Sequence, residues 1–276
     1  MASSNQAGGV VNIAGYRFVD MPDRDELRQP FRDICQRLGL AGTVLLSHEG
    51  INFVLSGSQD SIDSYLAYLA EDERFSGISL KVSYSDRQPF RRMLVRLKKE
   101  IISIGMPEIV PAEFTGPEIE PAEFKAKLDA GEEVVLLDTR NDYELRVGTF
   151  ANAVDLNITS FRDFPNAINN LPKEMKDKEI VMFCTGGIRC EKASAVMLNA
   201  GFQNVKQLKG GILGYFEECG GAHWNGDCFV FDRRVALNPQ LEETCHEMCF
   251  ACREPLGESE LQSEKYVLGE SCPYCA

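Results

Sequence analysis

Two groups of cysteines have residue types and spacings that could do chemistry, and the first surrounds Cys184. The segment CTGGIRC, from Cys184 to Cys190, follows a buried apolar run and precedes a helical pattern. A thiol between the end of a strand and the start of a helix faces backbone N–H groups, which stabilise its thiolate and lower its pKa. Gly186 and Gly187 let the N–H groups turn inward, and Arg189 adds a positive charge. The pattern predicts a reactive thiolate at Cys184, against the simpler interpretation of a buried structural cysteine.

Cys190 lies six residues after Cys184 and has two interpretations. It could be a resolving thiol that forms a disulfide with Cys184, or a small residue that packs inward at the start of the helix. The sequence favours neither. The predicted active site consists of the catalytic Cys184 and a loop comprising Thr185, Gly186, Gly187, Ile188, Arg189 and Cys190.

The second group of cysteines consists of two C-x-x-C pairs in the last part of the sequence. Nineteen residues separate the pairs, a spacing typical of a tetrahedral four-thiolate zinc site. Residues 223–276 are rich in Cys, Gly and Pro, so a structural zinc ion would supply folding free energy that a small core cannot. Cys245 and His246 lie just upstream, so a second set of zinc ligands that uses one of them stays open. Four thiols without a metal are the simpler alternative. The predicted zinc ligands are Cys249, Cys252, Cys272 and Cys275.

The reactive loop needs a rigid sheet to position it, and the central sequence has the pattern of one. Apolar runs at 133–138, 179–183 and 205–208 are typical of strands that are buried on both faces. Helical patterns at 121–128 and 191–199 alternate with them. Strands that alternate with helices predict a parallel α/β sheet with the loop at its carboxyl edge.

The first 85 residues predict a different class of sheet. Their elements follow the order strand, helix, strand, strand, helix, strand, which is the split βαβ arrangement. The predicted fold class is therefore α/β and α+β, with a ferredoxin-like (acylphosphatase-like) domain first. We expect this domain at 1–86, a basic connector and Pro-rich linker at 87–118, the parallel α/β domain at 119–222, and the Cys-rich, zinc-binding segment at 223–276.

Composition and charge narrow the functional classes. The chain has 276 residues with 44% hydrophobic and 26% charged residues, as in ordinary globular proteins. No apolar stretch approaches the length of a bilayer span, and the start, MASSNQAGGVVNIAG, lacks an export pattern, so we expect a soluble cytoplasmic protein without a membrane partner. The net charge of -13 argues against a polyanionic partner. Residues 1–110, however, hold 13 basic and 14 acidic residues, so the acidity belongs to the later part.

Around Cys184 the sequence resembles a rhodanese (sulfurtransferase) domain, over about residues 119–219. The resemblance extends to LLDTRNDYE, which contains Asp138, Arg140 and Glu144, and to GTFANAVDLN. It implies a persulfide on Cys184 and a supporting role for Asp138 and Arg140. Four residues separate Cys184 from Arg189, whereas phosphatases of this fold have one residue more, so a single sulfur is favoured over a phosphate.

The whole chain resembles the tRNA uridine hydroxylase family. The resemblance rests on GTVLLSHEGIN, FCTGGIRCEKAS, LKGGILGYFEE, WNGDCFVFDRRVAL and the paired C-x-x-C motifs. It implies oxygen-dependent conversion of the wobble uridine of tRNA to 5-hydroxyuridine, with molecular oxygen as co-substrate and the anticodon loop of tRNA as the partner.

This resemblance gives RNA-binding interpretations to residues outside the loop. Six basic residues with no acid among them, here called the basic strip, become a candidate phosphate-contacting surface, against the alternative of a solvated strand. The basic strip consists of Arg87, Arg91, Arg92, Arg96, Lys98 and Lys99. Aromatic side chains could stack on an unpaired base, although aromatic residues are more often core. The candidates are Phe90, Phe161, Phe164, Tyr215 and Trp224.

Hydroxylation of uracil at C5 with molecular oxygen normally calls for a metal or a flavin. The sequence carries no flavin or NAD signature, and its three histidines do not form a recognisable iron-binding pattern. We therefore hypothesise that the Cys184 thiolate or persulfide adds to C6 of the uracil and makes C5 electron-rich. Two other classes of function stay open: a persulfide sulfurtransferase with a small acceptor, and a non-enzymatic tRNA-binding adaptor.

Overall fold

A computed structural model describes residues 9–276 of the chain. The first eight residues of the start that lacks an export pattern lie outside the described residues. The chain divides into two compact units, one ending at Ile102 and one spanning Ser103–Ala276. Within residues 9–276, no helix is both long and apolar enough to cross a bilayer.

The first unit is built on one five-stranded sheet with two helices. Its sheet has the order β4-β1-β3-β2-β5, in which the first four strands are antiparallel and β5 runs parallel to β2. In chain order the elements are β1 (Val10–Phe18), α1 (Arg24–Arg37), β2 (Ala41–Ser47), β3 (Gly50–Gly57), α2 (Gln59–Ala70), β4 (Leu80–Ser85) and β5 (Met93–Leu97). The first six elements confirm the ferredoxin-like prediction.

The core of the first unit lies between the two helices and the sheet. Phe31 of α1 and Tyr65 of α2 are buried, and their rings meet edge to face at 6.5 Å between centroids. Tyr65 also meets Phe53 of β3 at 5.6 Å. Ser58 caps α2 because its side chain accepts a hydrogen bond from the Ser61 N–H. These contacts fix the helices on one face of the sheet.

Strand β5 lies inside residues 87–118, the predicted connector and linker. Its pairing with β2 runs from Gly42 opposite Met93 to Leu46 opposite Leu97. Val95, in the middle of β5, is buried in the core of the first unit. The segment predicted as a connector therefore contains a fifth strand of the sheet.

The second unit contains the predicted parallel sheet, with strand order β6-β11-β10-β7-β9 and every pairing parallel. Three two-stranded ribbons accompany it: β8 with β12, β13 with β14, and β15 with β16. The elements are β6 (Glu118–Ile119), α3 (Pro121–Asp129), β7 (Val135–Asp138), α4 (Asp142–Val147), β8 (Gly148–Phe150), β9 (Val154–Asp155), α5 (Phe164–Ala167), β10 (Glu179–Phe183), α6 (Ile188–Asn199), β11 (Asn204–Leu208), α7 (Gly211–Cys219), β12 (Trp224–Gly226), β13 (Cys228–Phe229), β14 (Ala236–Leu237), β15 (Glu247–Met248), β16 (Pro255–Leu256) and α8 (Glu258–Leu261).

An aromatic cluster forms the core beneath the sheet. The Phe150 ring meets Phe183 and Tyr215 at 4.9 Å, Trp224 at 5.0 Å and Phe124 at 5.3 Å, all edge to face. Each such pair contributes more to the free energy of folding than its buried area alone would. Because Phe183 ends β10, the cluster anchors the strand that leads directly into Cys184.

Candidate active site

Cys184 follows β10 directly, at the carboxyl edge of the parallel sheet, and α6 begins at Ile188. Gly187, between them, has φ of 98°, a left-handed conformation that side chains with a Cβ rarely adopt. This turn directs the Gly187 N–H toward the sulfur, to which it donates a hydrogen bond of 3.1 Å. The glycine predicted to curl the loop therefore does so and brings an N–H to the thiol.

The first turn of α7 holds the loop from the other side. The Ile212 N–H donates to the Cys184 carbonyl at 2.9 Å, and the Leu213 N–H donates to the Thr185 carbonyl at 3.1 Å. Gly211 permits this approach, since a Cβ there would lie 2.4 Å from the Cys184 carbonyl oxygen. The free N–H groups at the start of a helix are thus used to fix the loop carbonyls.

The pKa of Cys184 is lowered to about 6 although burial alone would raise it. A hydrogen bond from the Cys190 thiol, the positive charge of Arg189, and the backbone N–H groups of Arg189 and Gly187 outweigh the desolvation. These groups therefore favour the thiolate form of Cys184.

Cys190 is fully buried, and burial together with the neighbouring Cys184 raises its pKa well above the usual value. Its sulfur lies 3.8 Å from the Thr139 hydroxyl oxygen. A thiol that keeps its proton can donate it to the Cys184 thiolate, so Cys190 supports the charge in the resting state. This arrangement fits the packing interpretation and leaves the resolving-thiol interpretation open.

A buried ion pair positions the Arg189 guanidinium. Its two terminal nitrogens lie 2.6 and 2.8 Å from the two carboxylate oxygens of Glu144, and both side chains are buried. Glu144 also accepts a hydrogen bond from the Asn141 N–H at 3.1 Å, which caps α4. A paired, bidentate arginine is held rigidly, so its charge stays close to Cys184.

Asp138 and Arg140, predicted to support the loop, form a second buried ion pair at 2.7 Å. Arg140 also donates to the Gly148 carbonyl at 2.6 Å and lies 5.4 Å from the Trp224 ring centroid, while the Thr149 hydroxyl donates to Asp138 at 2.8 Å. These contacts connect the end of β7 to the start of β8. The Asp138–Arg140 ion pair therefore stabilises the strands around the loop.

The four cysteines of the two C-x-x-C pairs come together, and their sulfur atoms all lie within 4.8 Å of one another. The Cys272 sulfur lies 3.5 Å from that of Cys252 and 3.7 Å from that of Cys275. Tetrahedral zinc with Zn–S bonds of about 2.3 Å needs sulfur atoms about 3.8 Å apart, so the cluster fits the ion. His246 instead contacts Thr244 at 2.9 Å, which disfavours the second set of ligands.

Comparison with known proteins accounts for both units. The UPF0176 acylphosphatase like domain matches residues 10–101, and the Rhodanese-like domain matches residues 120–218. Proteins named tRNA uridine(34) hydroxylase from Cupriavidus taiwanensis and Cupriavidus necator are each 51% identical, over 96% of both chains. One from Burkholderia orbicola is 49% identical over 97% of both chains. The chain belongs to the tRNA uridine(34) hydroxylase family.

Among solved structures, a rhodanese-related protein from Thermoplasma volcanium is 24% identical, with a TM-score of 0.32, over 37% of this chain and 93% of the other.

In this family member the basic strip is exposed along its whole length, from Arg87 to Lys99. Arg96 lies on β5, and the others flank this strand. No ion pair engages Arg91, Arg92, Arg96, Lys98 or Lys99 with another described residue. The strip is therefore accessible to an anionic partner.

The aromatic residues proposed for base stacking are mostly core. Phe161, Phe164, Tyr215 and Trp224 are buried, which contradicts that interpretation, and Phe90 is half-buried. Two residues that hold the loop lie outside the predicted site: Glu144, which pairs with Arg189, and Gly211, which admits α7 to the loop. The acid in LLDTRNDYE and the glycine pair at the start of α7 are the sequence signals for them.

Proposed function

We propose that this chain hydroxylates the uridine at position 34 of tRNA, the wobble position, to 5-hydroxyuridine with molecular oxygen as co-substrate. One observation carries the proposal: a rigidly held Cys184 thiolate occurs in a chain that is 51% identical, over nearly its whole length, to proteins named tRNA uridine(34) hydroxylase. We assign Cys184 as the residue that touches the substrate and the loop through Cys190 as its support.

The reactivity of uracil at C5 and C6 explains why a thiolate is needed. Uracil C5 in the neutral ring is too weakly nucleophilic to react with molecular oxygen, but addition of a sulfur nucleophile to C6 converts the C5–C6 double bond into an enolate with its electron pair at C5. Since the pKa of Cys184 is about 6, the nucleophile is present at neutral pH without a general base.

The proposed sequence balances with a thiol as reductant. After sulfur adds to C6, the C5 electron pair forms a C5–O bond with molecular oxygen, and protonation gives a C5 hydroperoxide. Two thiols reduce its O–O bond, giving one water, a disulfide and a C5 hydroxyl. Loss of the C5 proton then expels the sulfur from C6 and restores the double bond. The sum is uridine, oxygen and two thiols giving 5-hydroxyuridine, water and a disulfide.

Burial of the thiol favours the persulfide as the attacking form. The Cys184 side chain is only 1% exposed, so its own sulfur is difficult for a ring carbon to reach. A persulfide carries its terminal sulfur about 2 Å farther out. The N–H groups that face Cys184 would stabilise the terminal anion as well.

We assign the basic strip to the phosphates around the anticodon loop of tRNA. Five of its members are exposed and form no ion pair with a described residue. Exchanging Arg91, Arg92 and Arg96 for Ala should weaken tRNA binding, and the dependence of affinity on salt should become shallower. Exchanging Arg28, Arg32 and Arg37, three exposed arginines of α1, is the control with the same change of charge. Equal losses in both variants would contradict the assignment.

We assign a structural zinc ion to Cys249, Cys252, Cys272 and Cys275. A closed four-thiolate site holds the ion without an open position for substrate, so the ion would supply folding free energy to the segment around it. The small buried cluster there contains Leu256 together with Cys249 and Cys272, too little to hold the segment alone.

The proposed function is tested with purified protein, tRNA that lacks the modification, oxygen, a thiol as reductant, and thiosulfate as the donor of the outer persulfide sulfur. Nucleoside mass spectrometry should detect 5-hydroxyuridine with the wild type and with Cys245→Ala, an exposed cysteine outside the cluster, but none with Cys184→Ala. Undiminished product with Cys184→Ala would refute the role of the thiol. Tight tRNA binding without product in any variant would favour the adaptor function.

A persulfide sulfurtransferase is the second candidate, because the four-residue spacing between Cys184 and Arg189 suits a single sulfur. Thiosulfate-dependent formation of thiocyanate from cyanide tests it. A rate far above that of Cys184→Ala, in protein that forms no 5-hydroxyuridine, would favour this function over hydroxylation.

A further inference from the structure

The turn between β13 and β14 presents an aromatic ring beside the loop. Phe231 is 59% exposed, whereas Phe229, two residues earlier, is buried and meets it edge to face at 5.1 Å. The Arg189 guanidinium lies 5.6 Å from the Phe231 ring centroid. The Thr185 hydroxyl donates to the Phe229 carbonyl at 3.4 Å. The exposed ring is therefore linked to the residues that hold Cys184.

The turn that carries Phe231 is rigid. Asp232 and Arg234 form a buried ion pair at 2.5 Å, and Asp232 also accepts the Arg234 backbone N–H at 2.9 Å. Val235 has φ of 62°, a strained conformation for a β-branched residue. Strain of this kind persists only where surrounding contacts impose it, and it is concentrated at functional sites. The turn therefore combines a strained backbone at Val235 with an exposed apolar ring at Phe231.

An arginine lies two residues after the exposed Phe231 ring. Arg233, at the tip of the turn, is exposed and makes no ion pair with any residue from 9 to 276. An exposed ring that contacts Arg189 of the loop, with an exposed arginine two residues farther along the turn, matches what a nucleotide outside a base pair offers: a flat base and a phosphate.

We propose that Phe231 stacks on the wobble uracil of the RNA substrate and that Arg233 contacts a neighbouring phosphate. The proposal rests on the proposed function for the identity of the RNA. Stacking covers one face of the ring and leaves the other face open for addition of sulfur at C6. Phe231 is then a substrate-binding residue that sets the position of the base relative to Cys184.

The test is a binding cycle in Cys184→Ser protein, which prevents turnover. The probes are two synthetic anticodon stem-loop RNAs, one with uridine and one with an abasic site at the wobble position. Phe231→Ala should weaken binding of the uridine RNA by about 5- to 150-fold, the range of base–aromatic stacking, and leave binding of the abasic RNA nearly unchanged. Phe231→Trp should restore the difference between the two RNAs.

Two controls separate stacking from a structural effect. Phe114→Ala removes another phenylalanine of the same unit, 50% exposed, and should change neither affinity. In protein with Cys184 intact, Phe231→Ala should keep the low pKa of the thiol, since Glu144 still holds Arg189. An equal loss for both RNAs, or no loss for either, overturns the stacking proposal. Selective loss of uridine RNA binding in a protein that makes no 5-hydroxyuridine would refute the proposed function and leave stacking intact.

Discussion

Replacing the buried Arg189–Glu144 ion pair with neutral side chains tests what lowers the Cys184 pKa. The variant Arg189→Met with Glu144→Gln removes both charges at once, so no uncompensated charge is left inside the protein. The backbone N–H groups at Cys184 remain. A nearby opposite charge lowers a pKa by about 1 to 3 units, so the pKa of Cys184, now about 6, should rise to between about 7 and 9.

The expected change in the alkylation rate of Cys184 follows from the fraction of this residue that is thiolate. With a pKa of about 6, roughly nine-tenths of Cys184 is thiolate at pH 7; in the double variant the fraction falls to between about one-half and one-hundredth. The rate of alkylation should therefore reach half of its maximum at a higher pH. Mass spectrometry of the modified peptide assigns the rate to Cys184 among the ten cysteines.

Two further variants complete the experiment. Glu144→Gln alone leaves the Arg189 charge in place, so it should not raise the Cys184 pKa, although an unpaired buried arginine should cost about 3–5 kcal/mol of stability. The pair Lys125→Met with Asp129→Asn removes an exposed ion pair and should change nothing at the loop. A double variant at Arg189 and Glu144 that titrates like the wild type would refute the charge argument and assign the shift to the hydrogen bonds.

Three other perturbations have defined outcomes. Gly211→Ala places a Cβ 2.4 Å from the Cys184 carbonyl oxygen, so it should displace the loop and raise the Cys184 pKa measured by alkylation. Gly186→Ala is the control: no atom lies within 4 Å of the added Cβ, so the Cys184 pKa should not change. Cys252→Ser should abolish stoichiometric zinc in a metal assay and lower the melting temperature, and Cys245→Ser should do neither. Arg96→Ala should reduce the salt dependence of tRNA affinity by roughly 0.7–0.9 in logarithmic slope if it loses one phosphate contact; an unchanged slope would remove Arg96 from the interface.

Features set by short segments could be predicted from the sequence. The Cys184 loop and the four-cysteine cluster depend on close spacings, and the structure forms both as expected. The parallel sheet follows from apolar runs that need no knowledge of distant partners. These predictions succeed because the local pattern and the fold favour the same conformation.

Features that depend on long-range pairing could not be predicted. Strand β5 pairs with β2 across about fifty positions of sequence, so its basic segment looked like a connector. The aromatic residues show the same limit, because Phe231 and Phe229 have the same type and neighbouring positions, yet one is exposed and the other buried. Phe229 ends β13, whereas Phe231 lies in the turn that follows this strand.

The cysteine cluster has a structural path to the reactive thiol through α4. Arg146 of α4 pairs with Glu254, close to Cys252, and lies 5.1 Å over the ring of Tyr274, between Cys272 and Cys275. The same helix carries Glu144, whose carboxylate holds Arg189 beside Cys184. The proposed zinc ion, by ordering the cluster, would also order the residues against which Arg146 of α4 packs. Residues beside the cluster and Arg189 of the loop, distant in sequence, thus contact the same short helix.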